Sequence, residues 1–176
     1  ESDEPVRALA GSNMQRQAVP LVKAERPVVR TGLEKKSAVD SGATLLAPDD
    51  GRVVEADSRR ITIDYANGNT ETYELEDFLR TNMGTCVNET PLVRPGERIQ
   101  KGEPVYDSTA TDDAELALGR TLTICFLPWE GYNYEDAILV SERLVRDDEL
   151  TSIHIEKYEC EARETKLGPE EITRDI

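Results

Sequence analysis

A mainly β, α+β chain is the fold class that this sequence predicts, on three observations. Between positions 27 and 73 the apolar residues come as short β-branched runs, Val28-Val29, Val39, Val53-Val54 and Ile61-Thr62-Ile63, separated by Gly and Asp clusters, the pattern of short antiparallel strands joined by turns. Asn67-Gly68 lies between two stretches that alternate apolar and polar residues, a strong local hairpin signal. Helical patterning is confined to the first 20 residues, a short turn within 108–118 and a stretch after Asn133.

The elements follow in order. Asp3 and Glu4 precede Pro5, an acidic start with proline at a first helical position, so a helix is expected over 6–19, shortened or interrupted at Gly11 and ended by Pro20. The hairpin joins residues 61–65 to 70–75. Residues 92–106 set Gly96 and Gly102 as turns around one short strand, the layout of a small β sandwich. Residues 108–118 read as a loop entering a short helical turn that stops at Gly119. Residues 121–128 are nearly all apolar or β-branched and predict a strand buried on both faces, stopped by Pro128. Asn133 to Asp136 then open a helix with Ile138, Leu139, Leu144 and Val145 on its half-buried face. Residues 152–161 return to a strand, and Lys166 to Pro169 form an outgoing loop.

The chain of 176 residues carries 36 acidic and 21 basic side chains, a formal charge of −15. That balance argues against coating of nucleic acid by the chain alone, since phosphate binding runs on an excess of Lys and Arg. With 38% hydrophobic and 32% charged residues it has enough apolar material for a core under a well-solvated surface. No run approaches the roughly 18 apolar residues of a membrane helix, and no signal-peptide apolar region is present, so a cytoplasmic setting without membrane contact is expected. Cys86, Cys125 and Cys160 are widely spaced and accompanied only by His154, which fits reduced, mostly packed thiols better than a disulfide framework or zinc site. The sequence opens at Glu1 without Met and closes at Arg174-Asp175-Ile176, so both ends are expected to be cuts in something longer.

Two groups of residues are candidates for chemistry. Glu135 and Asp136 stand side by side where a strand-to-helix turn presents side chains to a cleft, and two such anions could hold a divalent cation or its water shell. The alternative is structural: Asn133 and Asp136 as a capping box, with both acids answering the helix dipole. On the first helix, an advance of about 100° per residue brings Arg7, Asn13 and Gln17 within an arc of roughly 120°, one cation and two amides able to grip phosphates and ribose hydroxyls. The same arc also fits an ordinary solvated face. His154, between Ile153 and Ile155, reads as structural, and Trp129 beside Pro128 as core packing.

Residues 47–54 and 93–105 are similar to the half-motifs of biotinyl and lipoyl carrier domains. The hairpin of those domains carries a modified Lys, whereas here it is Ala66-Asn67-Gly68-Asn69. A non-catalytic barrel-sandwich hybrid module for binding or interaction is therefore the competing function.

Three longer stretches, RALAGSNMQRQAVP at 7–20, PWEGYNYEDAILVSE at 128–142 and TKLGPEEIT at 165–173, resemble the β subunit of bacterial DNA-dependent RNA polymerase. VDSG at 39–42, RTNMGTC at 80–86 and ELALG at 115–119 agree in order and spacing, so the resemblance covers nearly the whole chain. It implies an interior piece of that subunit: an active-centre helical segment over 1–26, a sandwich-barrel hybrid insertion over 27–107, and part of a double-psi β-barrel over 108–176, leading to the flap. It further implies that Arg7 lies near the incoming nucleotide's phosphates, and Asn13 and Gln17 near the RNA 3′ end and ribose. Glu135 and Asp136 would sit beside the triphosphate and act on a second, loosely held Mg²⁺ through water. The main Mg²⁺ ligands, three aspartates, belong to the beta-prime subunit, and a pair of lysines that contact the RNA 3′-end region follows the flap.

The implied activity is that of a nucleotidyltransferase, with nucleoside triphosphates as substrates and DNA template and RNA bound in the assembled enzyme. Its implied partners are the beta-prime, alpha and omega subunits and a sigma factor, in the nucleoid-associated cytoplasm. Two stretches depart from the family pattern. Glu1 to Val6 replaces a His-Asp-Asp-Ala-Asn-like lead, and 106–111 replaces an Ala-Asp-Gly-Pro stretch, a change expected to touch only a surface loop.

Overall fold

A computed structural model of the chain describes residues 3–175; Glu1 and Ser2, in the departing lead, and Ile176 lie outside them. The first element is α1 (Asp3–Gln15), with Asp3 and Glu4 in its first turn and no buried residue. Carboxylates there answer the positive end of the helix dipole. Gly11 does not interrupt it: one interior glycine costs about 1 kcal/mol relative to Ala, too little to break a helix supported on both sides. The helix nonetheless stops at Gln15, and its last turn closes through Gln17 N donating to Met14 O (3.0 Å) and Ala18 N to Gln15 O (3.2 Å).

A second helix, α2 (Glu34–Asp40), occupies the place where Val39 was expected among β runs. Glu34 folds back over the preceding loop and accepts from Thr31 N (2.7 Å), Gly32 N (2.8 Å) and Thr31 Oγ1 (3.0 Å). These bonds, led by that from the Thr31 backbone, hold its carboxyl at about 2 against an ordinary 4.5. Ala38 on the inner side of α2 is fully buried.

The strands are short. They run β1 (Thr44–Leu46), β2 (Gly51–Ala56), β3 (Arg60–Tyr65), β4 (Thr70–Glu74), β5 (Leu79–Arg80), β6 (Cys86–Val87), β7 (Thr90–Pro91), β8 (Arg98–Ile99), β9 (Pro104–Asp107), β10 (Thr111–Asp112) and β11 (Glu115–Leu116). After the single-turn α3 (Arg143–Arg146) come β12 (Glu164–Thr165) and β13 (Gly168–Pro169). A four-stranded sheet in the order β4-β3-β2-β8 and a three-stranded sheet β1-β9-β7 form the body, every pairing antiparallel, so the mainly β class holds.

The predicted hairpin is β3–β4, in the register Ile61↔Tyr73 and Ile63↔Glu71. Gly68, at φ 85, takes the left-handed turn position, which glycine enters without a Cβ penalty. Alternation then decides the faces: Ile61, Ile63 and Tyr65 are buried while Arg60 and Asp64 are exposed. With Ala47, Val53, Leu75, Ile99 and Val105 they make the core between the two sheets. Gly51 lets β2 and β3 approach, since a Cβ there would sit 2.7 Å from Asp64 O. Ile63→Ala removes a fully buried side chain and is expected to destabilise the chain by about 2–5 kcal/mol, read as a lowered urea midpoint with an unchanged denaturant slope.

Several elements differ from expectation. Residues 108–118 form the hairpin β10–β11, not a helical turn, because Asp113 and Ala114 both take positive φ, 54 and 59. The buried Asp107 carboxylate holds that turn, accepting from Asp113 N (2.6 Å) and Ala114 N (3.0 Å). The stretch at 106–111 is therefore an inner support as well as a loop. Residues 121–128 form no strand, and Ile124 and Phe126 are 71% and 92% exposed. An apolar strand needs sheet edges beside it, and no described sheet offers one there. No helix opens at Asn133, and 152–161 holds only an isolated bridge between His154 and Thr85. Trp129 is 55% exposed rather than packed, and of the thiols Cys86 is buried while Cys125 and Cys160 are exposed. Residues 164–169 form the small hairpin β12–β13 in place of a plain loop. Among the described residues no helix is long and apolar enough to cross a membrane.

Candidate functional site

Arg7 and Asn13 stand on α1, and Gln17 in the turn that closes it. Arg7 Nε donates to Asp3 Oδ2 at 2.9 Å across one helical turn, with both side chains more than three-quarters exposed. An ion pair so open to water contributes only about 0–1 kcal/mol, so an incoming anion can displace Asp3 at little cost. Asn13 accepts from Arg16 through its Oδ1 (2.5 Å), which leaves its amide NH₂ free to donate. The face therefore presents a cation and amide donors outward.

Glu135 and Asp136 lie in a run of turns over 129–137. Asn133 shapes it from inside: its Oδ1 accepts from Trp129 N (3.0 Å) and its Nδ2 donates to Leu127 O (2.6 Å). Because both ends of that amide are engaged with preceding backbone, Asn133 cannot cap a following helix, and the capping box does not form. Glu135 has φ 58, a left-handed conformation uncommon for a residue with a Cβ. Both side chains are exposed, and among the described residues neither carboxylate accepts a hydrogen bond or forms an ion pair.

The donor set bears on Mg²⁺. Two adjacent carboxylates supply the hard oxygens that this ion takes, and Mg²⁺ characteristically keeps several waters and binds few protein carboxylates. Among the described residues no group of three or more His, Cys, Asp or Glu converges on one point. The pair thus fits an outer, water-mediated hold on a cation and not a cage built by this chain.

Among the described residues no hydrogen bond or ion pair joins the α1 group to the Glu135–Asp136 pair directly. The segments that flank them do meet. Val22 N donates to Thr151 O (2.9 Å), Lys23 Nζ to Asp147 O (2.9 Å), and Glu25 bridges Gly119. Around these backbone ties lies a chain of alternating charge: Glu25 Oε2 stands 3.7 Å from Arg120 Nε, Arg120 also pairs with Glu149, and Glu149 Oε1 is 3.3 Å from Arg143.

The model for RNA polymerase Rpb2, domain 6, matches residues 46–176, about three-quarters of the chain. The chain belongs to the Rpb2 domain 6 family. Over all 176 residues it is 59% identical to the DNA-directed RNA polymerase subunit beta of Syntrophomonas wolfei and 57% identical to those of Caldicellulosiruptor saccharolyticus and Caldicellulosiruptor bescii. It covers 16% of the length of the first and 14% of the other two.

The matched span takes in Glu135, Asp136, the four-stranded sheet and β7 and β9 of the other sheet, whose β1 begins just before it; α1 with Arg7, Asn13 and Gln17 precedes the span but falls within the full-length identity. A cavity of about 570 Å³ in this Rpb2 domain 6 chain lies elsewhere, between residues 20–24, Phe78, Cys86 and residues 107–112. Burial beside it pushes the Cys86 thiol pKa up. Sequence reading did not single out Glu25, Arg120 and Glu149. Nothing in their spacing marks them, since they meet only after the chain has folded across 96 positions, the separation of Glu25 from its backbone donor Thr121.

Proposed function

We propose that this chain forms one wall of the nucleotide-addition site of a DNA-directed RNA polymerase, as part of its β subunit, for template-directed RNA synthesis from nucleoside triphosphates. The observation that carries the reading is 57–59% identity along the entire chain to three bacterial β subunits. In it Arg7 pairs with the triphosphate in place of Asp3, a charge-assisted contact of the strong kind. Asn13 and Gln17 hydrogen-bond the ribose and the RNA 3′ end and so align the attacking hydroxyl. Glu135 and Asp136 would hold the second Mg²⁺ through its water shell. When bound, Mg²⁺ supplies charge neutralisation on the transferring phosphate; its main ligands lie on the beta-prime subunit.

The reaction is therefore a nucleotidyl transfer that exists only in assembly, with beta-prime, alpha, omega and a sigma factor, on DNA template and RNA in the nucleoid. A net charge of −15 supports this dependence, because the cations that grip nucleic acid must come from outside these residues. A structure of the assembled polymerase with a non-hydrolysable nucleoside triphosphate tests the reading. It is expected to bring Arg7 within hydrogen-bond reach of the phosphates and Glu135 and Asp136 within one water layer of the metal. Either group beyond ~10 Å, the screening length in 0.1 M salt, overturns it.

A further inference from the structure

We propose that Arg120 is a positioning residue: by joining Glu25 to Glu149 it fixes the chain that carries Arg7, Asn13 and Gln17 against the loop that carries Glu135 and Asp136. The inference rests on the nucleotide-site reading above and adds to it what sets the spacing between the two halves.

The first argument is where each half is anchored. α1 buries none of its residues, so it is not held by packing of its own. Among the described residues, the first backbone hydrogen bonds from its chain to a distant element are those of Val22 to Thr151 and Glu25 to Gly119. The loop bearing Glu135 and Asp136 leaves the body at Arg120 and Thr121 and returns at residues 147–151, its internal hydrogen bonds over 127–137 all being local. Both anchors are thus one place. Arg120 stands at the exit of the loop, Glu149 at its return, and Glu25 on the strap behind α1.

The second argument is electrostatic. Arg120 and Glu149 are the most enclosed ion pair among those described, their side chains 23% and 13% exposed. Screening by water and salt is weaker there than for the open Arg7–Asp3 pair. Glu25 Oε2 also accepts from Thr121 N at 3.1 Å, so the strap grips the loop exit by backbone as well as by charge. Arg120 Nε is buried with no hydrogen-bond partner and lies 3.7 Å from Glu25 Oε2. A planar guanidinium with donors on two sides can serve both carboxylates at once, whereas an ammonium acts as a single point charge.

The test uses the complete β subunit assembled into polymerase, with single-nucleotide addition read as KM and kcat for a nucleoside triphosphate. Arg120→Ala is expected to raise KM about 3- to 10-fold, and Arg120→Lys to give an intermediate rise. Because Arg120 acts through the placement of Arg7, the pair of changes R7A and R120A together should raise KM little more than R7A alone, the non-additivity expected of residues in one mechanism. A purely structural role would lower the yield or melting temperature of the assembly and leave the KM of what assembles unmoved. If R7A raises KM while R120A and R120K do not, or if the effects of R7A and R120A multiply, the positioning role is overturned and the site reading stands. If neither Arg120 variant assembles, the residue is structural and the inference falls. If R7A itself leaves KM unchanged, it is the site reading that fails.

Discussion

Replacing Glu135 and Asp136 together by Ala in the assembled polymerase is expected to slow nucleotide addition by about 10- to 100-fold, the loss typical when outer partners of a metal-bound group are removed. Assembly should be intact, for a reason visible in the turn itself. Neither carboxylate accepts a hydrogen bond among the described residues, and the loop is shaped by Asn133, which the change leaves alone. Ala at 135 inherits the left-handed backbone of Glu135, φ 58, and pays no steric penalty that Glu does not already carry. Rapid-quench measurement of one addition step, repeated across Mg²⁺ concentrations, checks it: the variant should need more Mg²⁺ for its half-maximal rate. The E135Q, D136N double variant keeps the shape and removes the charge, so it should share the defect. An unchanged rate, or a subunit that no longer assembles, goes against a role beside the metal.

The elements legible in the sequence are those whose information is local. The β3–β4 hairpin needs only an alternating pattern and a glycine at the turn, and Ile61, Ile63 and Tyr65 go inward because they alternate with the polar Arg60, Thr62 and Asp64. The hairpin β10–β11 was not legible. Its turn uses Asp113 and Ala114 at positive φ, a conformation no rule assigns to alanine, and what holds it is a carboxylate from Asp107, outside the turn. Residues 121–128 fail for a different reason. Apolar content says that a segment seeks cover but not where the cover lies, and no described sheet edge supplies it, so Phe126 stays exposed. At Asn133 the sequence allows an amide to point forward as a cap or backward into its own loop, and only the folded chain decides.

The site was legible chiefly through resemblance. Helical spacing gathers Arg7, Asn13 and Gln17, yet it would do so equally on an idle solvated face. Two adjacent acids fit a helix start as readily as a metal. What the fold adds is the removal of the capping alternative and the Glu25–Arg120–Glu149 junction, which no pattern of spacing contains.

Arg7→Ala is expected to weaken nucleotide use by about 10- to 150-fold in apparent KM, corresponding to about 1.5–3 kcal/mol for one hydrogen bond to a charged group. The folded chain should not suffer, since among the described residues the only partner that Arg7 loses is Asp3, in a pair exposed to water on both sides. That pair supplies its own control. Asp3→Asn removes the internal competitor for the guanidinium and should leave nucleotide affinity equal or slightly tighter. Were Arg7 merely a surface charge stabilising α1 through its i,i+4 partner, the two substitutions would behave alike. Arg7→Lys should fall between wild type and Ala, because a point charge keeps the attraction to phosphate and loses the paired donors of the guanidinium. Raising the ionic strength separates the cases further. A phosphate contact made by Arg7 adds to the salt dependence of nucleotide binding, so the KM of the wild type should climb more steeply with salt than that of the Ala variant; parallel slopes with equal KM would leave Arg7 outside the site.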